Sequence, residues 1–168
     1  QENETYTYEQ AKAMVKEALA PLGEEYGKLL DRAFNEGWVD VYENKGKTTG
    51  AYSCGVYGVH PYVLLNYTDT LDDAFTLAHE LGHAFHNQCC NDHRILNRDY
   101  SMPLAETAST FNECVVMASA IGKAADKAEK LALIESQLQD ATQIICDIYS
   151  RFRFERMVFE NREEQFMD

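Results

Sequence analysis

The sequence predicts a mainly α-helical fold with one small β-sheet. Three observations carry this prediction. Apolar residues recur at helical spacing on both sides of a central segment, capping residues stand where those helical stretches begin, and only residues 38 to 67 have the turn-punctuated texture of strands. At 168 residues, with 45% apolar and 11% aromatic content, the chain has the length and composition of one globular domain and not of a disordered or fibrous polymer.

The elements follow in order. Thr7 and Gln10 form a capping box, and Ala11, Met14, Val15, Ala18 and Leu19 continue at helical spacing from a start near Tyr8. Pro21 and Gly23 interrupt the pattern, Leu22 to Phe34 resume it, and Gly37 offers a stop, so residues 1–37 read as helical. Residues 38–67 read as a small sheet: a strand from Trp38 to Tyr42, a turn over Glu43 to Gly50, a partner strand from Ala51 to Cys54, a Gly-rich link, and a strong strand from Tyr62 to Tyr67. Two helices fill 70–122. The first is capped by Thr70, carries Asp72 and Asp73 at its positive end and runs to about Cys90. The second starts after Ser101 with Pro103 in its first turn and ends at Gly122. From 124 to 166 one long helix is expected, with Leu131, Leu138, Ile145, Phe152 and Phe159 recurring every seven residues.

Composition excludes several function classes. Fifteen Lys and Arg against 28 Asp and Glu leave a balance of −13, which argues against nucleic-acid binding and against docking on anionic lipid. Apolar runs such as Tyr62 to Leu65 fall far short of the ~20 residues of a membrane helix. Five cysteines, an odd number with Cys89 and Cys90 adjacent, suggest no disulfide framework, so the simplest reading is a cytoplasmic chain with reduced thiols.

The chemistry concentrates in His79-Glu80-Leu81-Gly82-His83, an H-E-x-x-H motif on the helix after Thr70. Residues four apart rise about 6 Å and turn about 40°, so both imidazoles reach one ion from the same side, as a tetrahedral Zn²⁺ requires. A third protein ligand is needed. An extended motif on the same strand of sequence would place glycine at position 86 and histidine at 89, but these are His86 and Cys89. A carboxylate from the following helix is the other route, and Glu106, Ser109 and Glu113 share one stripe there; a solvated helix face is the plainer reading of the same spacing. His86 shares the stripe of His79 and His83 yet sits ~10 Å along the axis from His79, too far for all three to bind one ion, so it reads as a neighbour of the ligands.

Four segments together resemble a known family: Asp40-Val-Tyr-Glu-Asn-Lys-Gly-Lys47, Gly58-Val-His-Pro-Tyr-Val-Leu-Leu-Asn-Tyr67, Ala78-His-Glu-Leu-Gly-His-Ala-Phe-His86 and Ala105-Glu-Thr-Ala-Ser-Thr-Phe-Asn-Glu113. They resemble oligoendopeptidase F, of the thimet oligopeptidase family of zinc peptidases, from about Trp38 to Glu113. The resemblance implies a zincin-like helical catalytic subdomain holding one Zn²⁺ per chain. It matches His79 and His83 to the imidazole ligands, Glu106 to the carboxylate ligand and Glu80 to the general base. Glu113 falls where the family has a further acidic residue beside the ligands, and His60 where a residue lines the substrate path. The implied activity is zinc-dependent endopeptidase cleavage of short oligopeptides within a deep channel.

Members of that family are several times longer, with further lobes that contact the substrate. The chain begins without Met and stops inside a helical pattern at Phe166-Met-Asp168, so it is expected to be a fragment of a larger catalytic domain. Such a fragment would cleave poorly and self-associate through exposed helix faces. The strand from Tyr62 to Tyr67, if its edge faced the metal, would hold an extended oligopeptide by main-chain hydrogen bonds. The rival reading is a non-catalytic helical module that binds metal or a protein partner.

Overall fold

The helices begin where the sequence supplies caps. In the computed structural model, which describes residues 5–164, the Thr7 hydroxyl accepts from the Gln10 amide and the Gln10 side chain accepts from the Thr7 amide, closing the box that opens α1 (Tyr8–Leu19). Pro21 lies in a 3₁₀ turn, Ala20–Leu22, and Gly23, at φ 112°, admits the chain to α2 (Glu24–Asn35). The same device opens α3 (Leu71–Cys89): the Thr70 hydroxyl accepts from the Asp73 amide while Asp73 Oδ2 accepts from the amides of Thr68 and Thr70. The next helix, α4 (Met102–Lys123), runs one residue past the stop expected at Gly122.

Three strands form one sheet, β1 (Val39–Tyr42), β2 (Tyr52–Cys54) and β3 (Tyr62–Tyr67), in the order β1-β3-β2. The expected pairing of the first two strands across the Glu43 to Gly50 turn does not form. Instead β1 runs parallel to β3 and β2 runs antiparallel to it. The physical reason is that β3 buries Val63, Leu65 and Tyr67 and so occupies the centre, where both its edges are hydrogen-bonded. The connection over residues 43–51 is also too long for a tight hairpin. Lys47 Nζ in that connection donates to the carbonyls of Asp40 and Tyr42, and Asn66 Nδ2 donates to those of Thr48 and Gly50. A central β3 also has no free edge to offer a peptide, so the edge expected there is absent.

The sheet and the first two helices pack on α3, whose Ala74, Leu77, Ala78, Leu81 and Ala84 are fully buried with Val15, Leu30, Trp38 and Leu65. Aromatic contacts join the layers: Tyr26 of α2 stacks on Phe85 of α3 with ring centres 4.1 Å apart, and Tyr8 of α1 meets Tyr67 of β3 edge-on at 5.6 Å. Burying α3 on one side leaves its opposite border, with His79 and His83, for the next helix.

The chain divides into two compact units, one ending at Ala120 and the other beginning at Ile121. In the second, Asp126 caps α5 (Lys127–Thr142) by accepting from the amides of Ala128 and Glu129; a π-helical stretch, Gln143–Ile148, joins it to α6 (Tyr149–Glu164). The long helix expected over 124–166 starts at Lys127 instead, because Asp126 caps it, and is continuous from there to Glu164; positions 165 and 166 lie outside the described residues. The π stretch was not expected; it carries Ile145 of the sevenfold pattern. Leu131, Leu138, Ile145, Phe152 and Phe159 are 55–70% exposed. Among the described residues, no helix is long and apolar enough to cross a membrane.

Burial separates the two apolar sets energetically. Leu77→Ala, at a fully buried position of α3, is expected to cost about 2–5 kcal/mol of unfolding free energy in a urea titration. Leu138→Ala, at an exposed position, is expected to change it by no more than about 0.5 kcal/mol at concentrations low enough to keep the chain monomeric. Equal costs would contradict this assignment of the core.

Candidate metal centre

Gly82 sets how close α4 comes to α3. A Cβ built there would lie 2.6 Å from the Ala108 carbonyl oxygen and 2.7 Å from the Ser109 Cα. Both are backbone atoms that cannot turn aside, so only glycine admits this approach. With the backbones in contact, α4 brings Glu106 and Glu113 to the histidine face of α3.

Three ligand atoms converge there. His79 Nε2 and His83 Nε2 are 3.1 Å apart, and Glu106 Oε2 lies 3.2 Å from the first and 3.3 Å from the second. A tetrahedral ion with ligands at about 2.0–2.1 Å sets its ligand atoms ~3.3 Å apart. The triangle has the dimensions of one zinc face. His79, His83 and Glu106 are also the group able to hold a metal among the described residues. Three lone pairs aimed at one point repel, and a single proton bridges only two of them, whereas a cation satisfies all three. The residues present therefore fit Zn²⁺.

The outer contacts fix each ligand. His79 Nδ1 faces Glu113 Oε1 and donates to it, so the neutral ring keeps its proton on Nδ1 and turns an unprotonated Nε2 to the other two groups. Ser109 Oγ, buried between the helices, lies 2.9 Å from both the Glu106 carbonyl and Glu106 Oε2. The backbone of Ala105 hydrogen-bonds to the His83 ring. The two imidazoles differ electrostatically. The bond to Glu113 pushes His79 above its ordinary value against the opposing effect of burial, while burial pushes His83 below.

Glu80 is buried, at 5% exposure, and its Oε2 has no hydrogen-bond partner among the described residues. Burial pushes its carboxyl up to about 7; His79 pulls it down, and Glu106 and Glu113 push it further up. A carboxyl near neutrality with a free oxygen suits a group that must gain and lose a proton.

The other sequence-selected histidines stand apart from the triangle. His86 tilts against Tyr100 at 4.4 Å, and its Nδ1 is buried without a hydrogen-bond partner among the described residues. His60 lies parallel to Trp38 at 4.7 Å, contacts Tyr62 and bonds through Nδ1 to the Pro61 carbonyl. It lines an open groove of about 540 Å³ with Arg32, Tyr57 and Gln88, and none of the three ligand residues lines that groove. Residues that sequence reasoning passed over are Gly82 as a spacer, Ser109 as an orienter of Glu106, and Asn112, which is 1% exposed and donates to the Ala78 carbonyl. A glycine in mid-helix costs about 1 kcal/mol against alanine, and that unexplained cost was the signal available for Gly82.

That cost gives a test. Helix propensity alone makes Gly82→Ala stabilising by about 1 kcal/mol. The contact with the Ala108 carbonyl instead makes it destabilising, by about 1–3 kcal/mol in urea denaturation. A stabilised variant would contradict the close approach.

Comparison with known proteins identifies the family. The profile of peptidase family M3 matches residues 2–164. The chain is 37% identical over 159 residues to oligopeptidase PepF of Bacillus subtilis, covering 94% of this chain and 24% of that protein. It is 36% identical over 156 residues to the chromosomal oligoendopeptidase F of Lactococcus lactis subsp. cremoris, covering 92% and 26%. A crystal structure from Chlamydophila abortus, of a protein assigned as a peptidase, matches with a TM-score of 0.79 at 41% identity, covering 83% of this chain and 24% of that one. The chain spans about a quarter of the length of the curated relatives it matches. On the match of nearly its whole length, the chain belongs to peptidase family M3.

Proposed function

We propose that the chain carries the catalytic centre of a zinc-dependent endopeptidase acting on short oligopeptides. The observation that carries this reading is the triangle of His79 Nε2, His83 Nε2 and Glu106 Oε2, whose edges of 3.1, 3.2 and 3.3 Å match one tetrahedral face. His79, His83 and Glu106 would hold one ion per chain. Zinc bound there would supply a Lewis acid that polarises the scissile carbonyl and acidifies water.

This chain's residues perform the remaining work. Glu80 takes the proton of the attacking water on its carboxylate as the water oxygen bonds to the scissile carbonyl carbon, and returns it to the leaving amine as the C–N bond breaks. Glu113 keeps the His79 proton on Nδ1 throughout, and Ser109 holds the Glu106 carboxylate toward the histidines. The outer edge of β2, beside α3, would hold an extended peptide by its main chain. Main-chain holding reads few side chains, so selectivity along that stretch would be loose.

Since the relatives are about four times longer, the segment is read as part of a larger catalytic domain that cleaves poorly by itself, having no second wall to position a substrate. The five cysteines, Cys54, Cys89, Cys90, Cys114 and Cys146, are all free, which supports placement in the reducing cytoplasm. The exposed stripe of Leu131, Leu138, Ile145, Phe152 and Phe159 supports self-association of the isolated chain.

Zinc content separates this reading from a non-catalytic helical module. The chain is expected to take up one zinc, to lose it on His83→Ala, and to keep it on Glu80→Gln. In a protein carrying this segment at the length of its relatives, Glu80→Gln is expected to abolish cleavage of an internally quenched oligopeptide. Residual turnover near the wild-type rate would remove Glu80 from the mechanism, and failure to bind zinc would favour the module. In sedimentation velocity the isolated chain is expected to show a concentration-dependent dimer that Leu138→Lys dissociates; a monomer at all concentrations would refute self-association.

A further inference from the structure

Two hydrogen bonds between α3 and α4 run side by side. Glu113 accepts from His79, and one residue back on each helix Asn112 Nδ2 donates to the Ala78 carbonyl at 2.9 Å. That carbonyl belongs to the turn of α3 carrying both ligand histidines. Asn112 is 1% exposed, and the Tyr26 hydroxyl bonds the end of its amide, 2.9 Å from Oδ1, to which it donates, and 2.6 Å from Nδ2, from which it accepts. Tyr26 belongs to α2, is itself buried and is fixed by its stack on Phe85. A buried amide left unpaired costs about 1–3 kcal/mol, so an apolar residue would fill this place with less at stake. What the amide adds is direction: its two bonds hold only when α4 sits at one axial position against α3.

We propose that Asn112, oriented by Tyr26, is the positioning residue that sets the register of α4 against the ligand helix. Sliding α4 by a single residue moves Glu106 and Glu113 about 1.5 Å along the axis, enough to open the triangle and to part Glu113 from His79. Gly82 fixes how near the helices come, and Asn112 fixes where along their length they meet. The inference rests on the metal-centre reading for its second readout only.

The test uses Tyr26→Phe, which keeps the ring stack and removes the hydroxyl, and Asn112→Ala. The first readout needs no ion: long-range ¹H–¹⁵N spectra of the His79 ring, taken at a pH where it is neutral, report its tautomer through carbon-bound protons. Wild type is expected to hold the Nδ1–H form that Glu113 selects. Both variants, with wild-type helix content by far-UV circular dichroism, are expected to shift toward the Nε2–H form, Asn112→Ala further than Tyr26→Phe. The second readout is zinc affinity by chelator competition, expected to fall on the order of 10-fold or more in Asn112→Ala. A role confined to stability would lower the unfolding midpoint and leave the tautomer unmoved. A wild-type His79 tautomer in Tyr26→Phe and in any folded Asn112→Ala overturns the proposal. A tautomer shift in a chain that takes up no zinc even as wild type upholds it and sinks the metal reading instead.

Discussion

The backbone contact at Gly82, where a Cβ would stand 2.6 Å from the Ala108 carbonyl oxygen, is the constraint on which the candidate centre depends. A carboxylate on α4 spans only a few ångströms from its Cα. A side chain at position 82 would meet the backbone of Ala108 and Ser109, so α4 would have to move away and carry Glu106 and Glu113 from their places at the imidazoles. The glycine gives up helix propensity, and the burial of α3 against the sheet and against α1 and α2 compensates for it.

Charge gives the second half of the account. Glu80, Glu106 and Glu113 gather round two imidazoles in a chain already at −13. Burial is the main cause that pushes Glu80, the most buried of the three, up to about 7, and the like charges of Glu106 and Glu113 add to it against the pull of His79. The protein arranges unlike electrostatic environments within one helical turn: His79 is held above its ordinary value by Glu113, and His83 is lowered by burial. A divalent cation bound there would relieve the crowding of carboxylates and use the lone pairs that the outer hydrogen bonds expose.

Much of this was legible in the sequence because local rules sufficed. The Thr7 and Thr70 caps, the Gly23 break, the strand over Tyr62 to Tyr67 and the reach of His79 and His83 toward one ion all follow from residues within a few positions of each other. Strand order was not legible, since the parallel pairing of β1 with β3 depends on which strand buries most surface and not on the turn between neighbours. The Asn112 to Ala78 bond joins residues 34 apart, and the Tyr26 to Asn112 bond joins residues 86 apart. No periodicity reports either. His60 and His86 show the converse limit: histidine as a residue type drew attention, but their partners are aromatic rings, Trp38 and Tyr100.

The central claim is that two imidazoles and one carboxylate converge on a single metal point. X-ray absorption at the zinc edge of the metal-loaded chain tests it most directly. The account predicts one ion per chain, a first shell of nitrogen and oxygen at about 2.0–2.1 Å, and outer-shell scattering from two imidazole rings, diminished to one in His83→Ala. A sulfur shell at about 2.3 Å, from cysteines such as Cys89 or Cys90, or a spectrum unchanged by His83→Ala, would contradict it.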